Sequence, residues 1–197
     1  MRKVQDLSPL LLSVVLFAAG LAIGVLGLKV LSPDEKAELL SYLQAFMSSL
    51  RNPGLEPSVI LRMSLAQNLK TAALLWGFGL AVIGAPLTCL LLVIRGFAMG
   101  FGSAFMVREV TAGGLAVFLS GMFPQSLIAV PTLIALSSLS MSFSITLVRE
   151  RPWNYGGLGR MIAEYTWRFA LLSLGLIASS VVEAYVSPLL LTRVAAS

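Results

Sequence analysis

Residues 10–28 read LLLSVVLFAAGLAIGVLGL, a run of 19 residues without a charged side chain. A helix rises about 1.5 Å per residue, so a run of this length covers the roughly 30 Å hydrocarbon core of a bilayer. Arg2 and Lys3 precede the run, as basic residues also do in a signal peptide. Because Lys29 and two large apolar residues follow it instead of a small-residue cleavage site, we interpret the run as an uncleaved first transmembrane helix.

The rest of the chain shares this apolar character. Hydrophobic residues make up 57% of the 197 residues and charged residues only 12%, and the mean hydropathy is +0.90. A soluble domain normally carries about 25% charged residues. We therefore predict an all-α, polytopic helical membrane protein with about five transmembrane helices, forming a single membrane domain over residues 1–197. The predicted spans are 10–28, 71–94, 96–123, 127–148 and 169–191.

Two of these spans have irregular features. Gly84, Ala85 and Pro86 interrupt the second span, and Arg95 closes it. The third span, 96–123, either crosses as a broken helix or re-enters as a hairpin, because Arg108 and Glu109 lie in its middle.

An amphipathic segment is predicted at 32–70, between the first two spans. Ser32, Pro33 and Glu35 predict a helix start with a Ser N-cap, Pro at the first helical position and a capping box. The helix continues to about Arg51 with an apolar face that needs a surface to cover it. The alternatives are the membrane surface, another part of this protein, or a partner. The candidate docking residues on this face are Leu39, Leu43, Phe46 and Leu50.

Charge bias predicts the orientation in the membrane. The short Arg149–Arg168 loop holds four Arg and two Glu, whereas the longer Lys29–Lys70 segment holds five basic and four acidic residues. The positive-inside rule then places this loop and the N-terminus in the cytoplasm. With five spans, the amphipathic helix and the C-terminus are expected on the outer side.

Four intramembrane polar residues are candidate functional residues: Glu183, Arg108, Glu109 and Arg95. Charged groups inside a span cost a few kcal/mol on insertion scales, so they face protein or water. Ser179, Ser180 and Ser187 share a helix face with Glu183, and this face is expected to point inward. Counted from the cytoplasmic side, Arg108 and Glu183 have similar depths, so we expect them to pair within one chain or between two. A structural polar contact is favoured over an ion or proton pathway.

The chain lacks the residue patterns of common catalytic sites. It has no histidine, and Cys89 is its single cysteine. The sequence contains no HExxH metal motif and no GxxxxGK[ST] phosphate loop. We therefore predict no catalytic, cofactor-binding or metal-binding residues and no enzymatic activity. The basic residues are spread along the chain, which is typical of membrane topology, so nucleic acid is not an expected partner.

Several short motifs resemble stage II sporulation protein M, a membrane protein family of endospore-forming bacteria. They are Arg95-Gly96-Phe97 with Gly100-Phe101, then Phe123-Pro124-Gln125-Ser126 leading to Pro131, Ser142-Phe143-Ser144, and Glu183-Ala184-Tyr185-Val186-Ser187-Pro188. The motifs occur in family order over nearly the whole chain, and Pro124, Gln125, Tyr185 and Pro188 are the motif residues we single out. Ser126 departs from the pattern, which has Asn there, and this leaves any role of that amide in doubt.

The resemblance implies a function that the residues alone do not. Members act in engulfment, as a membrane platform for the peptidoglycan-remodelling enzymes stage II sporulation proteins D and P. It therefore implies a non-enzymatic scaffold in the bacterial cell membrane, at the septal or engulfing membrane of the mother cell. It also implies that two copies could pair into a permease-like homodimer, and a permease-like transporter subunit is the alternative function.

Overall fold

The computed structural model of the chain describes residues 2–51, 57–109, 119, 122–150 and 157–186. Its long elements are all helices, so the predicted all-α class is confirmed. They are α1 (Arg2–Gly27), α2 (Pro33–Arg51), α3 (Pro57–Leu80), α4 (Gly84–Glu109), α5 (Phe123–Glu150) and α6 (Leu158–Val181), and a π-helical turn (Val182–Val186) continues α6.

Four of the described helices are long and apolar enough to cross a membrane. These stretches are Ser8–Gly27, Gly84–Arg108, Phe123–Arg149 and Leu158–Val186. Helix α3 has 24 residues and lies among these four, but it carries Arg62, Asn68 and Lys70, which lower its hydropathy. The architecture is therefore that of a polytopic helical membrane protein, in which α3 is the fifth long helix of the bundle.

Helix α2 begins with the predicted capping box. The backbone N–H and the hydroxyl of Ser32 donate to Oε2 of Glu35 at 2.8 and 2.9 Å. In return, the N–H of Glu35 donates to Oγ of Ser32 at 3.3 Å. Pro33 occupies the first helical position, where its missing N–H removes no helical hydrogen bond. These contacts satisfy donors that a helix start otherwise leaves unpaired.

The boundary between α3 and α4 differs from the predicted spans. Residues 81–83 form a turn, so the predicted span 71–94 is divided between two helices. At Gly84 a side chain would collide with the carbonyl of Phe78, which explains why glycine follows the turn. Helix α4 then runs unbroken to Glu109, and Arg95 lies inside it instead of closing a span. The predicted third span, 96–123, therefore begins in the middle of a continuous helix.

The last two predicted spans also begin or end elsewhere. Helix α5 extends beyond both ends of the predicted 127–148, and α6 begins at Leu158, before the predicted 169–191. The Arg149–Arg168 segment, predicted to be a loop, is therefore largely helical in its second half. Hydropathy underestimates these helices because their ends carry Arg and Glu residues that extend beyond the apolar core.

Helices α1 and α4 pack closely through two glycine pairs. A Cβ on Gly20 or Gly24 of α1 would collide with the backbone of Val93 or Phe97 on α4. The converse holds on α4, where a Cβ on Gly96 or Gly100 would meet the backbone of α1. Both pairs have the GxxxG spacing that lets membrane helices approach closely. Residue numbers rise together along the contact, so α1 and α4 run parallel.

The remaining helices alternate in direction. Contacts of Ala85 with Ser144 and of Thr88 with Ser140 show that α4 and α5 are antiparallel. Contacts of Asn68 with Ser180 and of Trp76 with Thr166 show the same for α3 and α6. The bundle core between these helices contains large side chains that are almost fully buried: Leu75, Leu92, Leu136, Tyr165, Phe169 and Leu176.

These directions define two ends of the bundle. We call one the turn end, which holds the start of α1, the 81–83 turn, the end of α5 and the start of α6. The other, the α2 end, holds α2, the start of α3, the start of α5 and the π-helical turn. The start of α1, the end of α5 and the start of α6 thus lie at the same end of the bundle. That this end is cytoplasmic stays a prediction.

Candidate functional site

A cavity of about 490 Å³, with polar and charged side chains in a largely apolar wall, lies between the helices in the half of the bundle nearer the α2 end. Its walls come from α1, α3, α4, α5 and α6. The described lining includes two charged side chains, Arg95 and Glu183, and three carboxamides, Gln67, Asn68 and Gln125. Cavities of roughly 300–1,000 Å³ with a few placed polar groups are typical of small-molecule sites.

Glu183 reaches the cavity from the π-helical turn. Its Oε2 accepts a hydrogen bond from the hydroxyl of Ser64 on α3, and both residues line the cavity. A π-helical turn widens the helix and changes the direction of the side chains that follow it; such turns are frequent at functional sites. The carboxylate is therefore held by a neighbouring helix at one wall of the cavity.

A second polar contact joins the same two helices one turn further along. The amide nitrogen of Asn68 lies 2.8 Å from Oγ of Ser180, 3.3 Å from Oγ of Ser179 and 3.3 Å from the carbonyl of Leu176. Ser179 and Ser180 are fully buried, so this helix face of α6 points inward. Together with Ser64 and Glu183, these residues form a polar seam along α3 and α6.

Arg95 forms the opposite charge in the cavity wall. It is half-buried and lies about 16 Å along α4 from Gly84, near the middle of that spanning helix. In the described part of the chain its guanidinium has neither a hydrogen-bond partner nor an ion-pair partner. Five N–H donors at this depth must be solvated by water or by an anion.

The structure corrects the predicted depth of Arg108. Because α4 starts at Gly84 and is continuous, Arg108 lies in its last turn, at the α2 end, and is exposed. It forms no ion pair with Glu183 in the described chain, so the expected pairing within one chain is not made. Pairing between two chains stays a prediction. The side chain of Glu109 lies outside the described residues.

The candidate docking residues of α2 are described only in part. Leu39 is half-buried, whereas the side chains of Leu43, Phe46 and Leu50 lie outside the described residues. In the described part of the chain, α2 has no extensive contact with the spanning helices. Tyr42 is 67% exposed, in keeping with this position outside the bundle.

Metal binding has little support in the described residues. Across these ranges there is no group of three or more His, Cys, Asp or Glu side chains that could hold a metal ion. The chemistry that the cavity does offer is charge recognition and hydrogen bonding, from one guanidinium, one carboxylate and several amide and hydroxyl groups.

Comparison with protein families matches residues 13–188 to Stage II sporulation protein M. The chain belongs to the stage II sporulation protein M family. The resemblance seen in the sequence motifs is therefore confirmed, and the chain is a sporulation-related membrane protein. The match includes every residue of the cavity wall named above. No match to the chain was found among curated proteins or among solved structures.

The sporulation-family motif residues take different places in the structure. Pro124 lies in the first turn of α5, and Gln125 next to it lines the cavity. Tyr185 is in the π-helical turn with 49% of its surface exposed. Pro188 lies outside the described residues. Three of the family motifs thus contribute to the cavity directly, through Arg95, Gln125 and Glu183.

Sequence analysis missed the contribution of α3 to this site. Ser64, Asn68 and Thr71 recur every three or four residues, the spacing of one helix face. This stripe could have indicated an inward-facing polar helix. Ser64 and Asn68 were instead included in the outer amphipathic segment 32–70, because Arg62 and Lys70 lie beside them, and Thr71 was included in the predicted span 71–94.

Proposed function

We propose that this chain is a non-enzymatic membrane scaffold that recruits and localises peptidoglycan hydrolases during engulfment in endospore formation. Membership of the stage II sporulation protein M family supports a sporulation role. The proposed partners are stage II sporulation proteins D and P, and the proposed location is the septal or engulfing membrane of the mother cell. The N-terminus is proposed to be cytoplasmic, so the α2 end faces the cell wall.

The observation that carries this proposal is the position of α2. It is a capped helix with an apolar face, and in the described chain it is not packed extensively on the spanning helices. An apolar face without such packing lies on the membrane surface or on a partner. At the wall-facing end of the bundle, it is suitably placed to bind enzymes that act on peptidoglycan.

A quantitative pull-down tests the proposal. Tagged full-length protein is solubilised from sporulating cells, and co-purifying proteins are quantified by mass spectrometry. The double variant Leu43→Asp with Phe46→Asp should still insert in the membrane but lose the hydrolases, because two charges disrupt the apolar face. The matched control, Ser41→Asp with Ala45→Asp, adds the same charge on the opposite side of α2 and should retain them.

Each outcome decides a separate part of the proposal. Recovery of no hydrolase with the native chain would contradict recruitment itself. If both double variants recover the hydrolases equally well, recruitment is supported, but the apolar face of α2 is excluded as the docking surface.

A second candidate, a permease-like subunit of a membrane transporter, is favoured by the cavity. A transporter needs a polar site at membrane depth, and Arg95 and Glu183 supply charged groups there. The same pull-down separates the two functions, because a transporter subunit of this kind would co-purify with a nucleotide-binding ATPase subunit in place of the hydrolases.

A further inference from the structure

The guanidinium of Arg95 is in an environment that an anion would stabilise. It is half-buried at mid-helix and has no polar partner in the described chain, while it borders a cavity. Arginine within a membrane span is costly unless it is paired or solvated. Its planar donor fork suits the oxygens of a carboxylate or a phosphate.

The carboxylate of Glu183 limits which anions are suitable. It borders the same cavity and accepts a hydrogen bond from Ser64, which leaves further acceptor sites on its two oxygens. A ligand with negative charge alone would be attracted by Arg95 and repelled by Glu183. A ligand with positive charge alone would be attracted by Glu183 and repelled by Arg95.

The other described lining groups are neutral, so the wall has one charge of each sign. Gln67 and Gln125 offer both donors and acceptors beside the two charges. A volume of about 490 Å³ is suited to a small ligand or to one lipid headgroup. Complementarity to such a wall requires a ligand that itself carries both charges.

We propose that this cavity binds a small zwitterion, with its anionic group at Arg95 and its ammonium group at Glu183. A free amino acid or phosphoethanolamine has this chemistry, and so does the headgroup of a phosphatidylethanolamine lipid. The inference goes beyond hydrolase recruitment and does not rest on it, because it concerns the helix bundle and not α2.

Binding is measured on purified full-length protein. Glycine and phosphoethanolamine are titrated against it in detergent, with acetate and ethylammonium as probes that each carry one of the two charges. The zwitterions should bind at least about tenfold more tightly than either single-charge probe, since one charge-assisted hydrogen bond is worth roughly that factor. For the lipid arm, native mass spectrometry compares lipid retained from nanodiscs with and without phosphatidylethanolamine.

Variants assign the two contacts. Arg95→Gln and Glu183→Gln should each weaken zwitterion binding about tenfold or more. Arg108→Gln on α4 and Glu164→Gln on α6 are the matched controls; both residues are exposed, and neither should change the affinity. Glu183→Gln should leave acetate binding undiminished, because it removes only a repulsive charge. Arg95→Lys is the second variant in case the Arg95→Gln protein does not fold. It keeps the positive charge and should therefore retain zwitterion binding.

The outcomes separate the sources and can overturn the proposal. Binding of the free zwitterions supports a soluble ligand, and selective retention of phosphatidylethanolamine supports a lipid. The proposal is overturned if neither binds to the native protein, if single-charge probes bind equally well, or if the Glu183→Gln chain binds zwitterions as tightly as the native chain. None of these results depends on whether hydrolases are captured by α2.

Discussion

The hydroxyl of Ser64 on α3 donates a hydrogen bond to the carboxylate of Glu183, 119 residues later in the chain. This contact joins the first half of α3 to the π-helical turn after α6 and forms part of the cavity wall. Among the described long helices of the bundle, α3 lacks a stretch as apolar as those of the four spanning helices, and its polar groups are used in such contacts with α6.

Removing this hydroxyl should weaken the bundle measurably. We expect Ser64→Ala to lower the free energy of unfolding by about 1 kcal/mol. A hydrogen bond between membrane helices contributes about 0.6 kcal/mol on average, and a hydrogen bond to a charged group contributes more. Reversible unfolding of the full chain in mixed detergent micelles measures this. Ser173→Ala is the control, because Ser173 donates to Ala170 of its own helix. Equal losses in the two variants would contradict a role for the contact with Glu183.

The close contact between α1 and α4 predicts that a Gly→Ala substitution destabilises the protein at Gly100, which lies in this contact, but not at Gly77 of α3, which lies outside it. Gly100→Ala should destabilise the protein by about 1–3 kcal/mol, because the new methyl group collides with the backbone of Leu21. Gly77→Ala should be neutral or stabilising by up to about 1 kcal/mol, because a Cβ there has nothing within 4 Å and alanine favours the helix. Unfolding of both variants in the same detergent makes the comparison. A similar change in both would show that the glycines of α4 are not needed for packing.

Local sequence patterns predicted the elements whose ends are fixed by local chemistry. The start of α2 is one, because Ser32, Pro33 and Glu35 satisfy each other within one turn. The boundary at 81–83 could not be found in this way. Apolar residues continue on both sides of it, so hydropathy has no break there, and Gly84-Ala85-Pro86 could equally interrupt one span or start the next.

The candidate site was predicted in part, because the sequence singled out Glu183, Arg95 and Gln125, which all line the cavity, but not the polar face of α3. The serines around Glu183 indicated an inward-facing polar helix face, and the structure places Ser179 and Ser180 in the interior. The depth of Arg108 was misjudged because the start of α4 was placed eleven residues too late, at Arg95 instead of Gly84. With the correct start, Arg95 becomes the mid-membrane cation. Which helices face each other depends on packing between distant segments, which a single sequence does not reveal.

The capping box of α2 predicts a dependence on pH. Hydrogen bonds from the backbone N–H and then the hydroxyl of Ser32 hold the pKa of Glu35 below its ordinary value of 4.5. The folded-state pKa is lowered, so the cap stabilises α2 at pH above 4.5, and this contribution is lost as the pH falls through the folded-state pKa. Titration of ¹³C-labelled glutamate carboxyl groups by NMR in micelles should show a depressed midpoint for Glu35.

Substitution of Ser32 separates the two causes of that depression. Ser32→Ala should raise the pKa of Glu35 part of the way towards 4.5, because the hydroxyl is lost while the backbone N–H remains. Ser41→Ala is the control, since its hydroxyl donates to the carbonyl of Glu38 and not to Glu35. An unchanged midpoint in Ser32→Ala would mean that the hydroxyl makes no contribution.

Ser144 of α5 should be the residue that fixes the turn between α3 and α4. Its hydroxyl donates to the carbonyl of Ala81 at 2.9 Å and accepts from the N–H of Ala85 at 3.1 Å. The carbonyl of Ala81 also accepts from the N–H of Gly84, whereas the N–H of Ala85 lies in the first turn of α4, where a helix leaves it without a backbone partner. Ser144→Ala should therefore destabilise the protein by about 1–3 kcal/mol. Thr146→Ala removes a hydroxyl that bonds within α5, to Ser142, and should have a smaller effect. Unfolding measurements that rank Thr146→Ala as the more damaging variant would contradict this assignment.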